Sequence, residues 1–241
     1  MTRAVLTEQD SAIRDQVAVA SNVLGLEDLG DFILGHVSLR DPDGRGAWMK
    51  ATGWGLEEIT PDHVLLVGWD GEVLAGDERR HIEWPIHTEI LRARPDVHSV
   101  VHVHAPHAVA FASLVSPLRP ISHEGAIFAP PDVARYTKTG DLIMTAELGQ
   151  SLAEALGNRN AALMVHHGIV TAAVDVETAV VDAVLLERAC RKQLLAMAAG
   201  ELRTWSSDEE ARAKRSRIYP RKVIWDYLVR KLQTSHRRGA D

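Results

Sequence analysis

Residues Val97 to His104 read Val-His-Ser-Val-Val-His-Val-His, and this stretch decides the fold. Because successive side chains of a β-strand point to opposite faces, the alternation predicts a buried strand with four side chains on one face, namely His98, Val100, His102 and His104. A helix predicted over Pro85 to Arg94 precedes the strand and is ended by Pro95, and Pro106 ends the strand. A helix thus alternates with a buried strand, which is typical of an α/β protein.

Further elements are predicted on both sides of this strand. Thr7, with Asp10 three residues later, is a capping-box-like start for a helix over residues 7 to 27. Four short extended segments then predict an antiparallel meander: His36 to Arg40, Ala47 to Ala51, Val64 to Trp69 and Val73 to Ala75. The C-terminal part predicts helices over Pro106 to Leu114, Thr145 to Leu156 and Val176 to Ala199, and two extended stretches within Ala161 to Ala173 that meet at Gly168.

The chain shows no repeat and no linker before residue 200, so the sequence predicts one domain over residues 1 to 241. From about residue 206 the chain continues as a charged extension. Apolar residues recur there at helical spacing, which predicts a helix with one buried face formed by Ile224, Tyr227, Leu228 and Leu232. That face would cover the body of the domain or a neighbouring subunit.

The composition is that of an ordinary globular protein, with 241 residues of which 46% are hydrophobic, 25% charged and 5% aromatic. No apolar run approaches the roughly 18 to 20 residues that a membrane-spanning helix needs. The N-terminus has no apolar secretory segment, so a cytoplasmic protein without a membrane partner is expected. A net charge of −6 disfavours a nucleic-acid partner, and the single cysteine, Cys190, is predicted to be a packed thiol.

The His102-Val-His104 pair is a candidate metal site. Two imidazoles on one face of an apolar strand are costly to bury unless each finds a partner, and a metal cation would satisfy both. Twelve histidines occur in the chain, so a His-x-His pair is expected about 0.6 times by chance, and the pair alone leaves metal binding and chance equally open.

Two further segments could complete such a site. His166 and His167 end a second apolar stretch just before Gly168, where the chain can turn sharply, and only one of the two can point to a given face. Glu83 begins a predicted helix and could supply an anionic ligand or a base. The alternative is that Glu83 is a solvated acid that interacts with the helix dipole.

Four segments, in this order and spacing, resemble the class II aldolase/adducin family: Glu83-Trp84, Arg92 to Asp96, Val100 to His104 and His166 to Gly168. The resemblance extends from about residue 7 to residue 200 and is strongest to the decarboxylases of hydroxylated aromatic acids. It implies a three-layer α/β/α domain with a mixed, mostly antiparallel sheet. It also implies a homotetramer with active sites between subunits.

The resemblance further implies that His102, His104 and His167 bind one divalent metal ion per subunit. Glu83 would be the fourth ligand or a base. Three histidines with a carboxylate suit zinc, manganese, cobalt and iron.

The chain departs from the family's sugar-phosphate aldolases where those enzymes hold the phosphate. A Gly-Asn-x-Ser-x-Arg segment corresponds here to Gly35-His36-Val-Ser-Leu-Arg40, the Thr-Gly turn is kept as Thr52-Gly53, and a Ser-Ser pair is replaced by His81-Ile82. Isoleucine offers a phosphate no hydrogen-bond donor, which argues against a phosphorylated sugar. The resemblance implies instead that a substrate carboxylate contacts His36, Arg40 or the amides of Thr52 and Gly53.

A second departure concerns the proton donor. The family's aldolases carry a tyrosine after a histidine, and the corresponding segment here resembles Pro120-Ile-Ser-His-Glu-Gly125. His123 or Glu124 would then deliver the proton that replaces the leaving group.

These features favour a metal-dependent carbon–carbon lyase that acts on a small molecule. We expect a non-oxidative decarboxylase of a hydroxylated aromatic mono- or dicarboxylic acid, working through a metal-stabilised enolate or carbanion. The alternative is a class II aldolase that cleaves an unphosphorylated hydroxy-keto acid or sugar. A non-catalytic, adducin-like interaction protein is disfavoured because the full set of ligand residues is retained.

Overall fold

The central feature of the fold is an eight-stranded sheet, seen in a computed structural model that describes residues 6–217 and 220–238. The strands are β1 (His36–Arg40), β2 (Gly46–Lys50), β3 (Val64–Gly68), β4 (Val73–Ala75), β5 (Ser99–Val103), β6 (Ala134–Tyr136), β7 (Ala161–Met164) and β8 (Gly168–Ala173). Their spatial order is β4-β3-β2-β1-β5-β8-β7-β6, and every neighbouring pair is antiparallel except β6 with β7. The predicted mixed, mostly antiparallel sheet is confirmed, and the histidine-rich strand β5 lies near its middle.

Helices cover both faces of this sheet. They are α1 (Glu8–Leu26), α2 (Trp84–Ala93), α3 (Pro106–Ala112), α4 (Gly125–Phe128), α5 (Ala146–Leu156), α6 (Val176–Ala199), α7 (Asp208–Arg217) and α8 (Arg221–Arg238). Not one of the described helices combines the length and apolar character needed to cross a membrane. The predicted capping box of α1 is confirmed, since Thr7 and Asp10 exchange side-chain to backbone hydrogen bonds.

Side chains of β5 point alternately to the two faces of the sheet and contribute to two separate core layers. Val101 and Val103 pack with residues of α1, α3 and α6 on one face of the sheet. Val100 packs with residues of α2 and α5 on the other face. This arrangement confirms the three-layer α/β/α architecture, and the period of two places His102 on the side of α2.

The C-terminal extension packs on the body of the same chain. In α8 the buried side chains are Trp225, Leu228 and Leu232, which pack in the core layer of α1 and α6. The predicted buried face was wrong at Tyr227, which is exposed, because Trp225 occupies the inward position of that turn. Residues 1–5, 218–219 and 239–241 lie outside the described residues, so the domain bounds of 1 to 241 stay a prediction.

Two short elements were missed by the sequence analysis. Strand β6 has three residues and helix α4 has four, and neither is long enough to show a periodic pattern. The edge strand β6 is the element that makes the sheet mixed, because it runs parallel to β7.

Candidate metal centre

The C-terminal end of β5 carries the first two predicted ligands. The rings of His102 and His104 lie 5.1 Å apart between centroids, as expected for positions i and i+2 on one face of a strand. His102 is fully buried, and its Nδ1 lies 2.9 Å from the carbonyl oxygen of Ile169 on β8. A carbonyl can only accept, so Nδ1 donates its hydrogen, and Nε2 of the neutral ring carries a free lone pair.

His104 is oriented by a residue that the sequence analysis missed. Its Nδ1 lies 3.0 Å from Oδ2 of Asp31, in the connection between α1 and β1. The carboxylate accepts the Nδ1 hydrogen, which again leaves Nε2 as the free ligand nitrogen. The two residues are 73 positions apart in sequence, and no local pattern joins them.

The third predicted ligand comes from the turn between β7 and β8. His166 adopts a positive φ of 61° and is exposed, whereas the side chain of His167 is 5% exposed and faces the other two rings. Its ring centroid lies 4.9 Å from that of His102 and 5.3 Å from that of His104. The turn thus separates the two candidate histidines, and His167 is the one that reaches the cluster.

Gly168 allows this close approach. A Cβ atom at this position would lie 2.7 Å from the carbonyl oxygen of Val103 and 3.0 Å from ring atoms of both His102 and His104. Any larger residue would therefore push the ligand rings apart.

Glu83 completes the cluster from the start of α2. Its side chain is 2% exposed, so the alternative of a solvated helix-start acid is wrong. Oε1 accepts a hydrogen bond of 2.8 Å from the backbone N–H of Ile143 and lies 3.4 Å from Nε2 of His167, while Oε2 lies 3.9 Å from Nε2 of His102. Burial alone would raise the pKa of Glu83, but the neighbouring His167 and His102 and the Ile143 amide together lower it to about 2. The carboxylate is therefore ionised.

The four residues fit a divalent metal ion. One ligand atom from each of Glu83, His102, His104 and His167 lies within 4.8 Å of every other. The Nε2 atoms of all three histidines are buried and have no hydrogen-bond partner among the described residues. Buried polar atoms of this kind are costly unless paired, and a single cation would satisfy all three at once. We call His102, His104 and His167 the ligand histidines.

A second group of histidines, the inner histidines His36, His81 and His87, lies directly beside the ligand histidines. His36 is the register partner of His102, and the two ring centroids are 5.0 Å apart. His36 Nδ1 lies 2.6 Å from His87 Nε2, and His87 Nδ1 lies 2.6 Å from Oγ of Ser38. The rings of His81 and His36 are in tilted contact, with 4.0 Å between centroids and 48° between the ring planes.

The inner histidines are neutral. Burial lowers the pKa of His81 to about 4 and that of His87 to about 3, and it lowers the pKa of His36 well below its ordinary value. A solvated position for His87 at the start of a helix, which its place in the sequence suggests, is wrong, since its ring is fully buried between α2 and the sheet.

Arg40 is not brought to the cluster. It occupies the far end of β1, and its backbone N–H donates to the carbonyl of His98, at the opposite end of β5 from His104. Its guanidinium donates to the backbone carbonyls of Leu91, Arg94 and Val97, which end α2 and the following turn. Its donors thus bind backbone carbonyls of its own chain, and the substrate contact of Arg40 stays a prediction.

Thr52 and Gly53 lie beside the segment that leads to His81. The backbone N–H of Thr52 donates to the carbonyl of Arg79, so this amide is already paired, and Gly53 is exposed with a φ of 91°. Only the Thr52 hydroxyl and the Gly53 amide remain as donors for a ligand.

His123 and Glu124 lie away from the cluster within this chain. His123 is exposed, and Glu124 Oε1 accepts a hydrogen bond of 2.6 Å from Nζ of Lys192 on α6, on the other face of the sheet. Burial raises the pKa of Glu124, but its contacts with Lys192 and Ser122 outweigh this and lower it. The chain itself thus brings neither residue to the ligand histidines.

The chain is similar to known proteins over most of its length. The family described as Class II Aldolase and Adducin N-terminal domain matches residues 15–194. A 3,4-dihydroxyphthalate decarboxylase from Arthrobacter keyseri is 33% identical over 202 residues, covering 78% of this chain and 79% of that protein. An L-fuculose phosphate aldolase from Escherichia coli O157:H7 is 33% identical over 147 residues, covering 60% of this chain and 65% of that protein.

Solved structures share the fold. The L-fuculose 1-phosphate aldolase from Glaciozyma antarctica PI12 superposes with a TM-score of 0.82 at 25% identity, covering 100% of this chain and 95% of the other. Both the sheet topology and the sequence match extend over most of the chain. The chain belongs to the class II aldolase and adducin family.

Proposed function

We propose that this protein is a metal-dependent carbon–carbon lyase that decarboxylates a hydroxylated aromatic carboxylic acid without an oxidant. The observation that carries the proposal is the set of three buried, unpartnered Nε2 atoms that surround the ionised carboxylate of Glu83. An interaction protein would gain nothing from burying such atoms, whereas a metal enzyme requires them.

The ligand histidines would hold a divalent ion through their Nε2 atoms, and Glu83 would be the fourth ligand or a base. Zinc, manganese, cobalt and iron all suit this set of donors. When bound, such an ion acts as a Lewis acid that stabilises negative charge on neighbouring oxygen atoms of a substrate. Ile169 and Asp31 hold the rings of His102 and His104 so that the ligand nitrogens are already aimed at the ion.

The side chains around the cluster favour a carboxylate over a phosphate. Ile82 precedes Glu83, is half exposed, and offers no hydrogen-bond donor. His36 presents a buried and unpartnered Nε2 next to the ligand histidines. A planar acid with one carboxylate needs only such single donors, whereas a phosphate has three oxygen atoms to satisfy.

In the reaction, the bond between the ring carbon and the leaving carboxylate breaks, and its electron pair stays on the ring carbon. One proton must then be added to that carbon. His123 or Glu124 is the candidate donor, and either would have to come from a neighbouring subunit, since neither reaches the cluster within its own chain. The proposal therefore includes a homotetramer with sites between subunits; a cytoplasmic location stays a prediction from the sequence.

The similar proteins support decarboxylation as the reaction. Two 3,4-dihydroxyphthalate decarboxylases, from Arthrobacter keyseri and Rhodococcus jostii, are each 33% identical to this chain over about three quarters of its length. The second candidate is an aldolase for an unphosphorylated hydroxy-keto acid or sugar, which the likeness to L-fuculose phosphate aldolase keeps open. Both reactions leave an electron pair on carbon, and the same cluster can stabilise it.

Metal analysis combined with two substrates tests the proposal. The purified protein should contain about one divalent ion per chain, and it should release carbon dioxide from 3,4-dihydroxyphthalate but not cleave L-fuculose 1-phosphate. Cleavage of the sugar phosphate, with no carbon dioxide from any hydroxylated aromatic acid, would overturn the decarboxylase in favour of an aldolase. A protein that binds no divalent ion when zinc or manganese is supplied would contradict both.

A further inference from the structure

A cavity of about 250 Å³ lies between the body of the domain and its C-terminal extension. The body contributes residues of α4, α6 and the start of β7, and the extension contributes Arg215 of α7 and Arg221 at the start of α8. Ile127 and Val133, which also line the cavity, belong to the core layer of α1, α3 and α6. The cavity is therefore on the opposite face of the sheet from α2, and it shares no residue with the candidate metal centre.

Asp182 of α6 presents an unpaired oxygen atom in this cavity. Its side chain is 1% exposed, and Oδ1 accepts a hydrogen bond of 2.8 Å from Nε of Arg221. Oδ2 is buried and has no hydrogen-bond partner among the described residues. A buried polar atom of this kind is costly unless a partner is found, and Asp182 lines the cavity. A group that enters the cavity can therefore stabilise the protein by bonding to Oδ2.

The kind of group that suits Oδ2 follows from the chemistry of a carboxyl. Burial raises the pKa of Asp182, because the contact with Arg221 offsets only part of the effect of burial. An ionised carboxylate accepts hydrogens, whereas the neutral acid donates one. A hydroxyl group can both donate and accept, so it pairs with Oδ2 in either state, which neither an ammonium nor a carboxylate can do.

The arginines of the cavity favour an anion. Arg215 donates from Nε and Nη2 to two backbone carbonyls, and Arg221 donates from Nε to Asp182. Within the described part of the chain, Nη1 of Arg215 and both Nη atoms of Arg221 have no hydrogen-bond partner. Burial and the charges of Arg212 and Arg221 lower the pKa of Arg215, and no carboxylate of the described residues offsets them. A carboxylate would satisfy these free guanidinium donors.

The rest of the wall is largely apolar and includes rings. Phe128, Pro130 and Val133 line the cavity beside the charged groups. Apolar walls with a few placed polar groups are typical of sites for small organic molecules. The cavity is smaller than the roughly 300 to 1,000 Å³ of most ligand pockets, so its occupant must be small.

We propose that this cavity is a second small-molecule site, which binds a hydroxylated aromatic carboxylic acid with its carboxylate on Arg215 and Arg221 and its hydroxyl on Oδ2 of Asp182. The site is independent of the proposed reaction, since none of its residues takes part in that reaction. An occupant contacts α4 and α6 as well as both helices of the extension. Binding therefore holds the extension on the body of the domain.

Calorimetric titration compares 3-hydroxybenzoate and 4-hydroxybenzoate with benzoate, which lacks only the hydroxyl. The titrations are made on the wild type and on His102→Ala, in which a metal ligand is missing, so that binding at the metal centre is separated from binding in the cavity. In His102→Ala, at least one hydroxy acid should bind roughly ten- to hundredfold more tightly than benzoate, as expected for a hydrogen bond to a charged group.

Three further variants, each combined with His102→Ala, assign the two ends of the ligand. Asp182→Ala should reduce the ratio of the two affinities to about one and leave the affinity for benzoate almost unchanged. Arg215→Met should weaken the binding of both acids about tenfold or more and keep their ratio. Arg217→Met is the matched control, because Arg217 is exposed on the same helix and does not line the cavity, and both affinities should stay unchanged.

Val133→Phe fills the cavity without changing any charge, and it should abolish the binding of both acids even if Asp182→Ala fails to fold. Methyl NMR locates the ligand: the signal of Ile127, assigned by its loss in Ile127→Val, should shift when the hydroxy acid is added. Equal affinities for benzoate and both hydroxy acids would overturn the proposal. So would an unchanged ratio in a folded Asp182→Ala protein, undiminished binding in Val133→Phe, or binding that leaves the Ile127 signal in place.

Discussion

The ligand histidines and the inner histidines lie side by side near the middle of the sheet, and both groups include residues close to Glu83, yet their ring nitrogens have different partners. In the ligand group, centroids lie 4.9 to 5.3 Å apart, and every Nε2 is unpartnered. In the inner group, the rings of His36 and His81 are in tilted contact at 4.0 Å between centroids, and His36 and His87 bond to each other. Imidazoles that share a cation must keep their lone pairs free, whereas imidazoles that share hydrogens need no cation. The comparison teaches that residue type and burial do not identify a metal ligand; three unpartnered Nε2 atoms gathered around one carboxylate do.

The largest expected effect comes from removing a ligand histidine. His102→Ala, His104→Ala and His167→Ala should each fall from about one ion per chain to nearly none, because each loses one of few ligand bonds. Carbon dioxide release should fall to background in each. The measurement is metal content by mass spectrometry, with circular dichroism to confirm folding.

His98→Ala and His166→Ala are the matched controls for these variants, because both residues are exposed and close in sequence to a ligand. Both controls should keep the metal. Normal metal content in His167→Ala, with loss in His166→Ala, would contradict the assignment of the turn between β7 and β8.

Glu83→Gln should distinguish the contribution of the Glu83 carboxylate from that of the ligand histidines. The amide keeps the shape of the side chain but carries no charge and cannot act as a base, so part of the metal should remain while turnover falls about 10²- to 10⁴-fold. Steady-state kinetics at full metal loading makes the comparison. Normal turnover in this variant would mean that the buried carboxylate of Glu83 only supports the fold.

Asp31→Asn tests whether the carboxylate bonded to Nδ1 of His104 strengthens metal binding by that histidine. The asparagine oxygen can still accept from Nδ1 of His104, but without a negative charge, so metal affinity should fall by about 10- to 100-fold. A competition titration with a chelating dye measures the affinity. Asp62→Asn, on an exposed surface turn, is the control and should bind as tightly as the wild type.

The sequence could predict those parts of the site that depend on local patterns, such as the alternating side-chain directions of a strand. The alternation of β5 is enough to place His102 and His104 on one face, and Gly168 marks a turn that brings His167 near them. Asp31 could not be found in this way, since its contact with His104 spans 73 positions.

Strand register explains why Arg40 is not brought to the ligand histidines within this chain. His36 is opposite His102 in the antiparallel pair of β1 and β5, so Arg40, four residues further along, lies roughly 13 Å away at the other end of the strand. A motif that runs along a strand cannot place both of its ends at one site. The burial of His87 has a related reason: a helix position is exposed or buried according to what packs on it, and α2 packs both on the sheet and against α5.

The smallest expected effect concerns Lys50, whose charge reaches the inner histidines. Lys50 is fully buried on β2, and its Nζ donates to the backbone carbonyls of Ile33 and Ala51. Burial lowers the pKa of Lys50 to about 8, although Glu57 and Glu58 act in the opposite direction. The pKa of a lysine in the unfolded chain is about 10.4.

Between these two pH values the unfolded chain binds a proton that the folded protein has released. The contribution of Lys50 to the free energy of unfolding therefore increases as the pH rises from about 8 towards 10. That contribution is lost as the pH falls through 8. The free energy of unfolding of the wild type, relative to Lys50→Met, should therefore increase over this range in urea titrations of the metal-free proteins. The same comparison with Lys138→Met, an exposed position, should show no such trend. Metal content should be unchanged in Lys50→Met, because Nζ of Lys50 donates to backbone carbonyls and its charge acts on His36 and His81. A loss of metal in this variant would show that the two groups of histidines are not separate in function.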